Sequence, residues 1–144
     1  MNQTHVATKQ TIFPAALYVD PRAAIAWLER AFGASVHALY DAPDGSVAHS
    51  QIVLAGNIVM LGQRRDREMT LEEARARNVD SAGIYVVLPT SAEVDALHAR
   101  AAAAGATIVR APNDTDYGSH EFGVLDCEHQ PWSFGTYDPF ATDH

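Results

Sequence analysis

The sequence predicts an α+β fold built from two βαβββ modules, and three observations carry that prediction. Strand-like alternation and helix-like periodicity follow one another in the same order in each half of the chain. Each half stops its helix on a glycine and continues alike, "GASV" from Gly33 and "GATI" from Gly105. Each half also ends in a hairpin, with Met60 and Gly62 of the first lying over Ser133 and Gly135 of the second.

In chain order, "TIFPAALYV" reads as the first strand. Asp20 followed by Pro21 is a helix start, with the carboxylate as cap and the proline at the first position. Ala24, Trp27, Leu28, Ala31 and Phe32 then form one apolar helical stripe, which Gly33 ends. "SVHALYD" and "SVAHSQIVLA" are strands separated by "APDG", and "GN" at 56 and 57 is the turn into "IVMLGQ". Residues 64–80 connect the modules, and within them "TLEEARARN" predicts a short helix capped by Thr70, with Glu73 three residues on. The second module opens with the strand "GIYVVLP". Val94, Leu97, Ala101 and Ala104 form the spine of its helix, and "ATIVRAP", "HEFGVLDC" and "PWSFGTYD" are its remaining strands. Setting "HSQIVLAGNIVMLG" beside "HEFGVLDCEHQPWSFG" puts His49 opposite His120. Module one spans about 11–63 and module two about 81–138, and residues 1–144 read as a single domain. Each module alone has too little core to be stable, which is the physical reason for pairing them.

Composition narrows the functional classes. A chain of 144 residues that is 47% hydrophobic has the makings of one globular core. No apolar run approaches the ~20 residues of a membrane helix, and "MNQTHVATKQ" carries no apolar signal core, so a cytoplasmic protein without a membrane partner is expected. A net charge of −8 with only ten Lys and Arg argues against a nucleic-acid partner, because phosphate binding needs clustered cations. Arg64, Arg65 and Arg67 are followed by acids and read as a solvated loop. The single cysteine, Cys127, excludes an internal disulfide and reads as a loop thiol, ahead of a nucleophile served by His129.

The segments "YVDPRAAIAWLERAFGA", "VAHSQIVLAGNIVMLG" and "DYGSHEFGVLDCEHQPWSFGTY" resemble the vicinal oxygen chelate superfamily, which includes glyoxalases, extradiol dioxygenases, fosfomycin-modifying enzymes and antibiotic-binding proteins. The likeness runs over about residues 11–138 and is nearest to a glyoxalase-like subgroup. It implies that each module curls into half of an open barrel, with the ligand in a central cleft. It also implies self-association as a homodimer, since some members complete the cleft across subunits. In the metal-dependent members the ligands come from the first and last strands of each module. The corresponding positions here carry Phe13, Met60, Gly83 and Ser133. A divalent ion needs converging carboxylates or imidazoles, which these residues do not supply, so no metal and no cofactor are expected.

Strand alternation then selects the cleft. Ile52 and Leu54 belong beneath the helix, which leaves His49 and Gln51 pointing away from it, and the repeat assigns His120 and Phe122 the same orientation. Phe13, Met60 and Ser133 occupy the region of the lost metal, and Tyr117 and Tyr85 offer phenol hydroxyls. Trp27 and Trp132 are expected in the core and Arg65 in solvent. An apolar, aromatic cleft with a few polar anchors suits a small-molecule ligand bound without a metal, such as a drug-like or aromatic compound. Besides a structural dimerisation module with no ligand, two alternatives stand beside this reading. One is a lyase or isomerase using His49 or His120 as general base. The other is a relocated metal site drawing on His49, His120, Glu121 and His129, which alternation disfavours because it sends Glu121 to the face opposite His120.

Overall fold

The computed structural model describes residues 10–66 and 68–141, so Arg67 of the basic loop lies outside the described residues. β1 (Ala15–Tyr18) leads into α1 (Pro21–Phe32). Asp20 caps that helix by accepting a hydrogen bond from the Ala23 N–H at 3.1 Å, and Pro21 occupies the first turn, where no N–H is required. Gly33 ends it at φ 74°, a left-handed conformation that other residues adopt only at a cost. β2 (Ser35–Asp41), β3 (Val47–Leu54) and β4 (Asn57–Gln63) complete the first module. The connecting helix α2 (Leu71–Asn78) is capped by Thr70, which accepts from the Glu73 N–H as expected. β5 (Ile84–Val87), α3 (Ser91–Ala103), β6 (Thr107–Asp114), β7 (His120–Leu125) and β8 (Pro131–Gly135) repeat the order.

Two of the boundaries that differ from the sequence reading have a plain physical reason. The first strand begins only at Ala15, immediately after Pro14, which has no N–H to give a ladder. The β3–β4 turn is centred on Ala55 and Gly56, both at positive φ, one residue earlier than "GN" suggests. Positive φ at both central residues gives the twist that joins two adjacent strands tightly.

The result is α+β: two four-stranded sheets, ordered β1-β4-β3-β2 and β5-β8-β7-β6. Each is one of the paired half-barrel modules, with its first strand parallel to its last and the remaining pairs antiparallel. α1 and α3 pack on each other, and the core is continuous across both modules. Phe32 of α1 meets Trp132 and Phe134 of β8 edge to face at 5.4 and 4.9 Å. Such pairs add about 0.5–1.5 kcal/mol beyond the area they bury. The opposite face of each sheet is left open by the helices, and Leu17, Tyr40 and Tyr85 on it are 50%, 60% and 42% exposed.

The β7–β8 turn forms a second junction. Asp126 is buried and accepts from the Tyr18 hydroxyl at 2.7 Å, the Trp132 indole at 3.0 Å, and the backbone N–H groups of Glu128 and Gln130. Glu128 reaches into module one, where its two oxygens accept from the N–H groups of Val19 and Asp20 at 2.7 and 2.9 Å. Asn78 and Arg75 of α2 donate to the carbonyls of Glu128 and Cys127. Every buried backbone carbonyl or amide tied in this way avoids a desolvation cost of about 1–3 kcal/mol.

Candidate functional site

Register decides which side chains reach the open faces. In module one, Ile52 pairs with Val59 and Ser50 with Leu61 beneath the helix, whereas Gln51 pairs with Met60 on the open side, together with His49. In module two, Phe122 pairs with Phe134 and Val124 with Trp132 beneath the helix, and Gly123 with Ser133 and Glu121 with Gly135 on the open side. Met60 and Ser133 are therefore counterparts, as the sequence indicates. The counterpart of His49 is Glu121, and the expected orientation of His120 and Phe122 is corrected: both turn toward the helix. Aligning the two histidines displaces the strand by one residue, and a one-residue slip exchanges its faces. The spacing that separates Gly33 from Gly105 already puts His49 over Glu121; the longer turn at residues 126–130 makes the histidine match misleading.

His120 lies against α3, with Nε2 2.6 Å from Asp95 and Nδ1 2.7 Å from Asp114. Its bonds to these two carboxylates raise its pKa, and with both nitrogens donating it has no lone pair with which to act as a base. Phe122 is fully buried between Phe134 and His98, at ring distances of 5.4 and 5.3 Å.

The residue that takes their place is Glu121. One carboxylate oxygen accepts from the Tyr117 hydroxyl at 2.6 Å and lies 3.7 Å from Arg110; the other accepts from Ser119 at 2.9 Å and Tyr85 at 3.2 Å. Burial works to raise its pKa, but the hydrogen bonds from Tyr117, Ser119 and Tyr85, with the Arg110 charge, outweigh it and hold the group below the ordinary carboxylate value. Glu121 is thus an ionised carboxylate with its acceptor sites engaged, a fixed negative charge and a weak base. Gly135 makes the arrangement possible. A Cβ there would stand 2.4 Å from the Tyr85 hydroxyl and 2.7 Å from the Glu121 Cβ, closer than atoms can approach.

Above this carboxylate the surface is aromatic. The Tyr117 and Tyr137 rings stand 5.7 Å apart at 90°, and with Tyr85 and Pro139 they line an open depression of about 660 Å³. Tyr117 and Tyr85 are singled out by the sequence, whereas Tyr137 and Glu121 as its floor are not. The signal was available in the period-two step from Ser133 and Gly135 across to Gly123 and Glu121.

The module-one candidates form a separate group on the other sheet. Tyr40 stacks on His49 at 6.3 Å, and the Gln51 amide nitrogen lies 3.0 Å from His49 Nε2. Met60 is half-buried beside Ala15, and Phe13 is half-buried two residues ahead of that strand position. Gly83 stands likewise two residues ahead of Tyr85, the partner of Ser133. Phe13, Met60, Gly83 and Ser133 do not fit a divalent ion, and among the described residues no group of three or more His, Cys, Asp or Glu is placed to hold one. The relocated metal set is scattered: His49 on one sheet, Glu121 and His120 on opposite faces of the other, His129 in a turn at φ 65°. Trp27 and Trp132 are in the core and Arg65 is exposed. Burial, with the charges of Asp126 and Glu128, pushes the Cys127 thiol up to about 12, so it is not a thiolate nucleophile at neutral pH.

The sequence pattern of the Glyoxalase/Bleomycin resistance protein/Dioxygenase superfamily matches residues 6–134, and the chain belongs to that superfamily. Among solved structures it is similar to TioX from Micromonospora sp. ML1, at 25% identity over 92% of this chain and 100% of that one, with a TM-score of 0.68. A glyoxalase/bleomycin resistance protein/dioxygenase family enzyme from Burkholderia phytofirmans PsJN is 20% identical over 85% of this chain and 94% of its own, with a TM-score of 0.63. The fosfomycin resistance protein FosX from Listeria monocytogenes, crystallised with Mn(II) and sulfate, shares the fold at 12% identity over 92% and 96% of the two chains, with a TM-score of 0.61. No curated protein is significantly similar in sequence. Among the described residues no helix is long and apolar enough to cross a membrane.

Proposed function

We propose that this protein binds a small aromatic or drug-like molecule without a metal, against the open faces of its sheets. The observation that carries the reading is the depression walled by Tyr85, Tyr117 and Tyr137 over the ionised Glu121. Phenol rings present a large apolar area with few rotamers to freeze, and their hydroxyls, held by Glu121, keep them in place. Metal independence is supported by the donor chemistry at Phe13, Met60, Gly83 and Ser133. A thermal-shift screen of aromatic compounds tests binding: a ligand at a hundred times its Kd adds about 2.7 kcal/mol to apparent stability. Absence of any shift across the screen, or near-stoichiometric Zn, Mn, Fe or Ni in the purified protein, would overturn the respective part of the proposal.

A second reading, a lyase or isomerase with His49 as general base, is supported by the place of that imidazole on the open face of its sheet, beside Gln51 and Tyr40. Under it, His49→Ala retains ligand affinity and loses turnover; equal turnover in the variant removes His49 from that role.

The partner in solution is proposed to be a second copy of the chain, in the cytoplasm. Ile12 and Phe140 are 85% and 93% exposed beside a cavity of about 460 Å³ that runs along β5, the edge strand of its sheet. An exposed strand edge flanked by apolar side chains is an association surface. Light scattering should return twice the chain mass of 15.6 kDa, and a single-chain mass at tens of micromolar would sink the homodimer.

A further inference from the structure

We propose that the tyrosine depression of module two is selective for a positively charged ligand, an organic ammonium group borne on an aromatic or aliphatic body. The inference rests on the small-molecule reading above and gives it a chemical class. Its basis is the juxtaposition of three phenol rings with one ionised, buried carboxylate. Tyr117 and Tyr137 meet at 90°, so they form two perpendicular walls, and Tyr85 and Pro139 complete the enclosure. A cation seated against such walls meets the negative face of a ring, an attraction worth more as water is excluded.

The carboxylate acts through the rings. Tyr117 and Tyr85 both donate their hydroxyl protons to Glu121, at 2.6 and 3.2 Å, which shifts electron density into those phenols and deepens the negative potential over their faces. Because Glu121 is 5% exposed, beneath the Tyr117, Ser119 and Tyr85 hydroxyls that donate to its two oxygens, it is screened from direct contact with a ligand nitrogen. Recognition therefore does not require an N–H donor, and a fully alkylated ammonium fits as well as a primary one. Arg110 is the opposing charge. It lies 3.7 Å from Glu121, with its side chain 47% exposed, so its field is partly spent on water and on that carboxylate, and it does not line the depression. The chain's net charge of −8 draws cations toward the surface as a whole.

The test uses the full-length protein and three benzyl compounds of similar shape: benzyltrimethylammonium, its neutral carbon isostere neopentylbenzene, and phenylmethanesulfonate as the anion. Calorimetric titration should give the ammonium compound an affinity about 10-fold above the neutral isostere, with the sulfonate weakest. Tyr137→Leu should lose most of that preference and Tyr137→Phe should keep it, both variants being checked for unchanged melting so that misfolding is not read as lost binding. Glu121→Gln should lower the preference without abolishing ring binding. Equal affinity for the charged and neutral compounds overturns the cation selectivity while leaving the aromatic-ligand reading standing. If none of the three binds, both fall; if the sulfonate binds best, Arg110 and not the tyrosine cage governs the site, and the proposal fails.

Discussion

At the scale of single residues, Gly135 is the position on which the open-face site depends most. Its lack of a side chain lets the Tyr85 hydroxyl and Glu121 lie across β8. Gly135→Ala should therefore force both groups away, destabilising the protein by about 1–3 kcal/mol as other overpacking substitutions do. The urea midpoint of the variant reads the loss, and an unchanged midpoint would contradict the crowding. Tyr18 offers a second case. Its hydroxyl donates to the buried Asp126, and Tyr18→Phe leaves that carboxylate with one donor fewer, at a cost of about 1–3 kcal/mol. Parts of this chemistry are legible in the chain itself: Asp20, Thr70 and the helix-ending Gly33 announce their roles by residue type alone. Glu121 is not legible in that way, because a carboxylate becomes a buried, hydroxyl-bound group only once register has chosen its face.

At the scale of elements, the difference between β3 and β7 shows what periodicity decides and what it leaves open. Alternation correctly separates Ile52 from Gln51, and it correctly divides Glu121 from His120. It cannot say which of two alternating sets meets the helix when both contain apolar residues, and Phe122, Val124, Trp132 and Phe134 settle that by filling the core against Phe32. A consequence follows for α3. His120 bridges Asp95 of that helix and Asp114 of β6, and those bonds raise its folded pKa above the unfolded value near ~6.5. The folded state thus holds the proton more tightly. The contribution is fully present below the unfolded pKa and is lost as pH rises through the folded one. Urea midpoints should fall as pH rises from the unfolded value near ~6.5 through the raised folded value in the parent, and fall less in His120→Gln; parallel slopes would show that the bridge does not contribute.

For the whole molecule, the core crosses between the two modules. Phe32 belongs to module one by sequence and to the Trp132–Phe134 ring cluster by packing. Unfolding should consequently be one transition in which Trp27 and Trp132, one reporter in each module, lose their native fluorescence together. Single-tryptophan variants, Trp27→Phe and Trp132→Phe, allow the two curves to be compared; separated midpoints would show modules that melt independently. Phe32→Ala should cost about 3–5 kcal/mol and lower both curves equally.

The contact of Glu128 with Val19 and Asp20 also breaks the molecule's internal symmetry. Twin halves of one chain face an ambiguity, since either could dock its hairpin on the helix start of the other. Only one arrangement has matching donors and acceptors. Ala55 and Gly56 carry no carboxylate, and the place of Val19 ahead of the capping residue is held in module two by Pro89, ahead of Thr90, where there is no amide hydrogen to offer. The reversed embrace would lose the carboxylate and one of its two amide donors, so a few atoms give an internally repeated chain its polarity.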